Sequence, residues 1–351
     1  MRKARTYITL AIAGIFILSS VSSQDYEKLA QSGFQFLSVV SDAQGAALGE
    51  AMTSLQVGSR ALFFNPAGMA KMEGVMEVTV SNNRWIADIM HNTLGLSFSP
   101  SGGNYGVLGL SVQSVDYGEF YGTRVDKDAP SGYIDTGIFR LSSLALGVGY
   151  ARSLTERFSV GGQVRWVRQD LGESIIPKIV VVEVEDPETG EMTTEQDTLD
   201  RQVSNKLEPL AFDFGTQFHT GYKSLVFGMS VRNFSKEIKY VEEGFQLPLV
   251  FNLGISMDLV DFMEEELGED HSLYLSIDAS HYRSHAEQIK IGLDYCIQEV
   301  ISLRGGYISS NDESGFSFGA GIKYSGAAFD YAYTPFGILG TVQRMTVRFS
   351  L

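Results

Sequence analysis

The pentapeptide Gly315-Phe316-Ser317-Phe318-Gly319 matches the G-x-S-x-G pattern that surrounds the nucleophilic serine of many hydrolases. That chemistry requires a strand, a sharp turn and then a helix, with a histidine paired to the serine. Here the pattern lies within an alternating stretch whose apolar positions continue through Ala320, Ile322 and Tyr324. We therefore interpret it as part of a β-strand and expect no catalytic residue there.

His281 and His285 are four residues apart and follow Asp278. On a helix this spacing would place both imidazoles on one face, where they could bind a metal ion. The surrounding residues instead predict the end of a strand and a short loop, so we interpret both histidines as solvated. Cys296 is the only cysteine, which leaves no disulfide framework and no cysteine-based metal site. We expect no metal and no cofactor, and the protein is not predicted to be an enzyme.

Two acidic clusters are the remaining groups of chemically active side chains. Each is typical of a solvated loop, and each is also a candidate docking surface or weak divalent-cation site. The shorter cluster is the stronger docking candidate, because it interrupts a series of otherwise short predicted turns. It comprises Asp261, Glu264, Glu265, Glu266, Glu269 and Asp270, and the longer cluster comprises Glu183, Glu185, Asp186, Glu188, Glu191, Glu195, Asp197 and Asp200.

The N-terminus predicts a secretory signal peptide. Arg2, Lys3 and Arg5 form its positive region, and residues 8–18 form an apolar stretch too short to span a bilayer as a helix. Small residues precede the predicted cleavage site after Ser23. We therefore expect residues 24–351 to be exported. The net charge of −15 also excludes nucleic acid as an expected partner, because no basic patch offsets it.

From residue 75 onward the hydrophobic pattern has a period of two, which is typical of β-strands. Large aliphatic and aromatic side chains occupy one face, and glycine, serine and ions of both signs occupy the other. The charged residues predicted on the polar face are Glu77, Arg165, Asp213, Arg232, Asp278, Lys290, Asp294, Arg304, Lys323 and Asp330. The fourteen predicted strands are 75–81, 92–99, 104–116, 138–152, 157–170, 207–219, 222–234, 248–260, 271–281, 286–297, 300–309, 315–325, 326–334 and 340–351.

Alternation alone fits a secreted sandwich or propeller as well as a membrane barrel. The connections favour the barrel, since they are mostly short on one side and include two long loops, 117–137 and 171–206, on the other. The predicted export and the aromatic residue near the C-terminus also favour it. We predict an all-β fold: a transmembrane antiparallel β-barrel of about 14 strands over residues 75–351, located in the Gram-negative outer membrane. An all-β chain in lipid must close in this way to pair its backbone groups.

Residues 24–74 are predicted to form a small helical N-terminal plug. Residues 43–56 place alanines and leucines on one helical stripe. Asn65 suits a helix N-cap and Pro66 suits the first helical position, which predicts one short turn before the barrel. The plug or hatch motif is Asn65, Pro66, Ala67 and Gly68.

This region resembles that of the PorV/PorQ family, which is itself similar to FadL-like barrels. The resemblance implies a fourteen-stranded barrel with an N-terminal hatch in its lumen. It rests on Phe36-Leu37, Asp42-Ala43, Leu48-Gly49-Glu50-Ala51 and the block Phe63-Phe64-Asn65-Pro66-Ala67-Gly68-Met69-Ala70.

PorV-type members of the family work in type IX secretion, whereas FadL-type members pass hydrophobic molecules through a gap in the barrel wall. Our main hypothesis is a non-enzymatic accessory barrel that binds secretion-machinery components or exported proteins. The alternative is a passive transporter of hydrophobic small molecules, in which glycine-rich strands kink to open the wall. A structural barrel without cargo is the third possibility. Outer-membrane lipid is an expected partner in every case.

Overall fold

The computed structural model describes residues 32–126, 129–185, 192–240, 244–262, 270–284, 286–310 and 315–351; of residues 175–200 it describes the backbone alone. The predicted signal peptide and the cleavage site after Ser23 lie outside the described residues. So do His285 and four members of the shorter acidic cluster, Glu264, Glu265, Glu266 and Glu269.

The described residues form seventeen β-strands, and the alternation of apolar and polar side chains explains most of them. The strands are β1 (Met76–Arg84), β2 (Met90–Phe98), β3 (Val107–Val125), β4 (Tyr133–Ser153), β5 (Phe158–Glu185), β6 (Met192–Leu207), β7 (Leu210–His219), β8 (Val226–Phe234), β9 (Ile238–Lys239), β10 (Gly244–Phe245), β11 (Val250–Asp258), β12 (His271–Tyr282), β13 (Gln288–Ile297), β14 (Ile301–Ile308), β15 (Phe316–Tyr324), β16 (Ala327–Pro335) and β17 (Thr341–Ser350).

Fourteen of these strands form a closed antiparallel barrel. Each pairs with its neighbours in the ring, and β1 pairs with β17 to close it, with Glu77 opposite Ser350 and Asn83 opposite Arg344. Strand β6 lies outside the ring and pairs only with β5, and β9 pairs with β10 as a separate small hairpin. The predicted fold class is confirmed.

The two predicted long loops are instead extensions of barrel hairpins. Strands β3 and β4 remain paired as far as Val125 opposite Tyr133, and β5 remains paired with β6 from Gln169 to Glu185. The prediction of loops at 117–137 and 171–206 was wrong. Two antiparallel strands can hydrogen-bond their backbone N–H and C=O groups to each other outside the membrane as well as within it, so the hairpins continue beyond the ring. Both extensions lie at the same end of the barrel.

The two ends of the barrel differ in their connections. The turn end carries the C-terminus and the short turns, including Ser325-Gly326, and Val75 N there donates to Leu351 O at 2.6 Å. The loop end carries the hairpin extensions and the β1–β2 connection around Ile86–Asp88. Short turns face the periplasm in outer-membrane barrels, so we assign the turn end to that side.

The outer surface of the barrel is apolar. On β7, Leu210, Phe214 and Phe218 are 51%, 55% and 44% exposed, whereas the alternate residues Ala211 and Asp213 are fully buried. The same alternation continues around the ring with exposed Leu94, Leu108, Val148, Val164, Phe227, Leu253, Leu293, Leu303, Phe318, Phe329 and Val347. Among the described residues, no helix has both the length and the apolar character needed to cross a membrane.

Residues 32–74, here called the lumen segment, precede β1 and lie against the inward face of the ring. Its helix α1 (Ala43–Ala47) begins where the Asp42 side chain accepts a hydrogen bond from Gly45 N at 2.7 Å. The predicted helix over 43–56 is therefore too long. It ends early because Gly49 and Glu50 adopt left-handed φ values of 58° and 64°, which close the last turn.

The remaining helical turns are 3-10 helices of three to six residues. Three belong to the lumen segment, at Gln35–Ser38, Gly58–Phe63 and Pro66–Met69. The others lie in connections between strands, at Ile86–Asp88, Pro100–Gly103, Leu259–Phe262 and Gly337–Leu339.

Candidate functional site

The lumen segment touches the barrel wall at inward-facing glycines, here called the glycine ring. A Cβ atom at Gly161 would lie 2.5 Å from Ala67 N, and one at Gly292 would lie 2.6 Å from Leu48 O. Both distances are below van der Waals contact, so only glycine fits. The members of the ring are Gly95, Gly109, Gly149, Gly161, Gly215, Gly228, Gly292, Gly306 and Gly319.

The glycine ring gives the abundant glycines a different role from the one predicted. The sequence suggests that they would let strands kink, whereas these nine glycines bring backbone or side-chain atoms of the lumen segment close against nine different strands. Sequence reasoning missed this role. A usable signal was present, because the glycines fall on the polar face of the alternating strands, where a side chain would point into the lumen.

Asn65 makes three hydrogen bonds, two within the lumen segment and one to the wall. Its Oδ1 accepts from Ala67 N at 3.1 Å, and so caps the turn that Pro66 begins. Its Nδ2 donates to Thr53 O at 2.7 Å and to Thr216 O on β7 at 3.1 Å. The predicted cap and turn are both present. The two hydrogen bonds donated by Nδ2 could not be predicted, because they join Asn65 to residues distant in the sequence.

A buried ionic network lies beneath α1 on the turn side. Arg304 on β14 donates from Nε to Asp294 Oδ2 at 2.8 Å and from Nη1 to Asp330 Oδ1 at 2.5 Å. Gln44 on α1 donates to the same Asp294 oxygen at 3.1 Å and accepts from Arg60 of the lumen segment. Part of the polar face predicted from the sequence therefore contacts the lumen segment, through Asp294 here.

Other charged wall residues also bind the lumen segment. Lys290 Nζ on β13 donates to Glu50 Oε2 at 2.8 Å. Thr53 N donates to Asp278 Oδ2 at 2.9 Å, and Ser59 N donates to Glu77 Oε1 at 2.8 Å. Together these contacts fix the position of the lumen segment against several strands of the ring.

Two cavities lie on opposite sides of α1. The loop-end cavity, of about 360 Å³, is lined by Trp85, Ile308 and Phe336 together with polar groups such as Gln288 and Arg344, and Ala46 of α1 lies at its base. The turn-end cavity, of about 490 Å³, is lined mainly by serines and charged groups. Among the described residues, the loop-end cavity therefore combines aromatic and polar groups, whereas the turn-end cavity is predominantly polar.

An apolar cluster adjoins the loop-end side of the lumen segment. Phe34, Phe36 and Leu37 of the segment pack on inward side chains of the wall. The ring of Phe34 lies 6.3 Å from that of Phe245 in the β9–β10 hairpin. The cluster also contains Val115, Ala145, Val167, Ala211 and Leu247. This hairpin thus covers part of the segment from the loop end.

Asp261 is a structural residue of the turn end. Its Oδ2 accepts from Ser224 N at 2.8 Å and from Ser224 Oγ at 2.5 Å, and its backbone oxygen accepts from Lys223 Nζ at 2.6 Å. The Asp270 backbone oxygen accepts from Gln298 N at 2.6 Å. Asp261 therefore fastens two neighbouring turns together. The other four members of the docking cluster lie beyond the described residues.

The residues considered for chemistry are dispersed through the barrel. Ser317 lies in β15 and donates from Oγ to Ala47 O at 3.2 Å, so it holds α1 and not a substrate. His281 is exposed at the loop end, 3.1 Å from Glu287. Cys296 is a partly buried free thiol that lines the turn-end cavity. No group of metal-binding side chains forms among the residues described.

Asp42 is the buried titratable group nearest to α1. Burial raises the pKa of its carboxyl group above the ordinary value, while Arg60 and the hydrogen bond from Gly45 act in the opposite direction. The carboxyl group holds α1 through Oδ1, and its Oδ2 is buried without a partner. The protonation state of Asp42 therefore bears on the stability of the helix that divides the lumen.

Solved structures with this fold come from outer-membrane transporters. No family model and no curated protein matches the sequence. The toluene transporter TbuX of Ralstonia pickettii has a TM-score of 0.52 at 12% identity, covering 87% of this chain and 96% of its own. A FadL homologue of Pseudomonas aeruginosa has a TM-score of 0.53 at 12% identity, covering 88% and 98%. The toluene transporter TodX of Pseudomonas putida has a TM-score of 0.52 at 13% identity, covering 87% and 95%.

The fold is that of a multi-pass outer-membrane β-barrel of the FadL-like type. At 12–13% identity, the similarity establishes the fold and carries no residue roles. The apolar outer surface agrees with the predicted location in the Gram-negative outer membrane. The sequence resemblance is thereby supported as far as the FadL-like architecture, and the PorV/PorQ assignment remains a prediction.

Proposed function

We propose that the protein is a passive, non-enzymatic transporter of hydrophobic small molecules across the outer membrane. Residues 24–74 serve as its plug, and Asn65, Pro66, Ala67 and Gly68 are the motif that seats this plug. The observation that carries the proposal is the aromatic loop-end cavity, which ends at α1. The barrel shares its fold with proteins described as toluene transporters, which supports the same class of cargo.

The chemistry of the loop-end cavity favours an uncharged, planar solute. Arg344, the cation in its wall, donates to Val40 O at 2.9 Å and to Thr334 Oγ1 at 2.8 Å, and lies over the Trp85 ring at 5.3 Å. Glu50 is paired with Lys290. Because Arg344 already donates to neutral acceptors and Glu50 is paired, the aromatic faces of Trp85 and Phe336 are available to contact a solute.

Movement through the barrel requires α1 to shift. At α1 the contacts with Gly292, Gly306 and Gly319 involve backbone atoms and Cβ atoms, so separation there exposes little apolar surface. The stronger contacts are the ion pair of Glu50 with Lys290 and the hydrogen bond from Gln44 to Asp294. We infer that solute enters at the loop end and that the plug controls passage.

The test is uptake of radiolabelled toluene and of a long-chain fatty acid by a deletion strain. Complementation with the wild type should restore uptake of at least one solute. A Val39→Trp variant, which fills the loop-end cavity, should assemble and fail to restore it. Val347→Trp, on the lipid-facing surface, is the matched control and should restore uptake. Unchanged uptake in the deletion strain would rule out the transporter proposal for these solutes.

The second candidate is an accessory barrel in type IX secretion, which binds secretion-machinery components or exported proteins. Two observations favour it: the resemblance of the Phe63–Phe64–Asn65–Pro66 block to the PorV/PorQ family, and the β3–β4 and β5–β6 hairpins that extend beyond the ring. Affinity purification from solubilised membranes tests it. Recovery of exported proteins together with normal solute uptake would favour this candidate over transport.

A further inference from the structure

Arg232 is a partly buried cation inside the barrel with no ion-pair partner among the described residues. It lies near the end of β8, opposite Val250, and its Nε is buried without a hydrogen bond. The carboxylate that attracts it most, Asp213, contacts Arg165 through both oxygens at 2.8 Å. Desolvation of this guanidinium is offset only in part by Asp213 and Glu50, because each of these carboxylates is already paired with another cation.

The Arg232 side chain faces two small neighbouring cavities. One measures about 30 Å³ and the other about 20 Å³, and they share Leu37, Ser38, Val40 and Phe64 as lining residues. A volume of about 10–15 Å³ is enough to hold one water molecule. Each cavity therefore suits a monatomic ion or a water molecule, and neither has room for a molecule with a hydrocarbon tail.

The donors around the larger cavity suit an anion. Lys290 also lines it, and its Nζ donates two of its three hydrogens, to Glu50 and to the Tyr282 hydroxyl, each at 2.8 Å. Ser38 adds a hydroxyl group to the lining. The charges here are Arg232 and Lys290 against Glu50, so the larger cavity has a surplus of one positive charge.

Asp42 lines the smaller cavity and is the carboxyl group that would oppose an anion there. Its Oδ1 is occupied by Gly45 N, and its charge is drawn mainly to Arg60. The larger cavity, which Asp42 does not line, is therefore the favoured position.

We propose that Arg232 and Lys290 bind a small monovalent anion of chloride size in the larger cavity. The anion neutralises Arg232 and joins the wall to the lumen segment through Ser38. It stabilises the seated plug, and this role does not depend on what the barrel transports. A bulkier anion such as gluconate is excluded by the volume of the cavity.

The test is thermal unfolding of the purified barrel in detergent, in sodium chloride or bromide against sodium gluconate at equal ionic strength. The wild type should unfold at a temperature several degrees higher in either halide, with saturation as halide rises, since a ligand that binds only the folded state stabilises it by mass action. Arg232→Met should lose this halide dependence and match the wild type in gluconate or exceed it. Arg348→Met, which changes an arginine of the turn-end cavity, should keep the dependence.

Bromide-soaked crystals provide the second measurement. An anomalous peak beside Arg232 in the wild type, absent from Arg232→Met, is the expected result. Equal unfolding temperatures in halide and gluconate, or a halide effect retained by Arg232→Met, would overturn the proposal. Stabilisation by octanoate but not by halide would also overturn it, because the site would then belong to an amphiphilic carboxylate.

Discussion

Gly215 on β7 makes room for the side chain of Asn65, because a Cβ atom at position 215 would overlap Asn65 Oδ1. Asn65 uses that space to cap its own turn and to reach Thr216 O on the same strand. One glycine and one asparagine thus fix the point where the lumen segment meets the wall. The following predictions test this seat and its electrostatics.

Substitution of Gly215 should displace the lumen segment without preventing barrel assembly. Gly215→Ala forces Asn65 away from β7, so we expect faster proteolysis within residues 32–74 and increased entry of large antibiotics. Gly305→Ala is the control, since Gly305 on β14 has no atom within 4 Å of the position of a Cβ. If both variants behave like the wild type, the glycine ring does not seat the segment.

Substitutions of Asn65 should separate capping from anchoring. Asn65→Ala loses the cap and the hydrogen bonds to Thr53 O and Thr216 O, although Thr53 O keeps a bond from Gln217 Nε2 at 3.3 Å; we expect a cost of about 2–4 kcal/mol. Asn65→Asp keeps the acceptor for Ala67 N but places a carboxylate against both oxygens. It should therefore destabilise the fold at least as much as alanine does. The measurement is heat-modifiable migration of the folded barrel, and a neutral Asn65→Asp would mean that capping alone matters.

Pro66 and Asn65 together should control permeability. The double substitution Asn65→Ala with Pro66→Leu removes both the cap and the preset first helical residue, and should loosen the plug and raise antibiotic permeability. Barrel assembly should persist, because neither residue belongs to a strand. A double variant that assembles and does not leak would leave the motif with a role in folding only.

The buried pair Lys290–Glu50 should show strong coupling. Lys290→Met leaves the Glu50 carboxylate without its partner, and we expect a loss of about 3 kcal/mol in unfolding free energy. Adding Glu50→Gln removes the unpaired charge and should recover most of that loss. Chemical denaturation in detergent measures the double-mutant cycle. A double variant as unstable as Lys290→Met alone would show that the pair is not energetically coupled.

The stabilisation of α1 by Asp42 should weaken as pH rises. The folded-state pKa of Asp42 is raised above its ordinary value of 3.8, so folding favours the protonated carboxyl group. Its contribution is fully present below the unfolded-state pKa and is lost as pH rises through the higher folded-state pKa. Arg60 and Arg304 moderate this effect, and Asp330 adds to it.

Asp42→Asn keeps an acceptor for Gly45 N and removes the ionisation. We expect its advantage in unfolding temperature over the wild type to be absent at the lowest pH and to grow as pH rises. Parallel stability profiles for the two proteins from pH about 3 to about 8 would contradict the assignment.

The sequence by itself determined the number of barrel strands, the face on which each side chain lies and the cap at Asn65. These features depend on residues close together in the chain: the period of two sets the faces of β7, and Asn65 with Pro66 defines a turn without other elements. The paired extensions of β3–β4 and β5–β6 escaped prediction because their pairing continues beyond the lipid-facing alternation.

Only the tertiary structure decided which lumen residues meet. Gly306 touches Gly49, Lys290 pairs with Glu50, and Asp278 accepts from Thr53 N, across hundreds of residues of sequence. Closure of the ring brings these groups together. Local pattern assigned Arg232 to the inner face, but only the folded barrel shows that the neighbouring carboxylates are already paired with other cations.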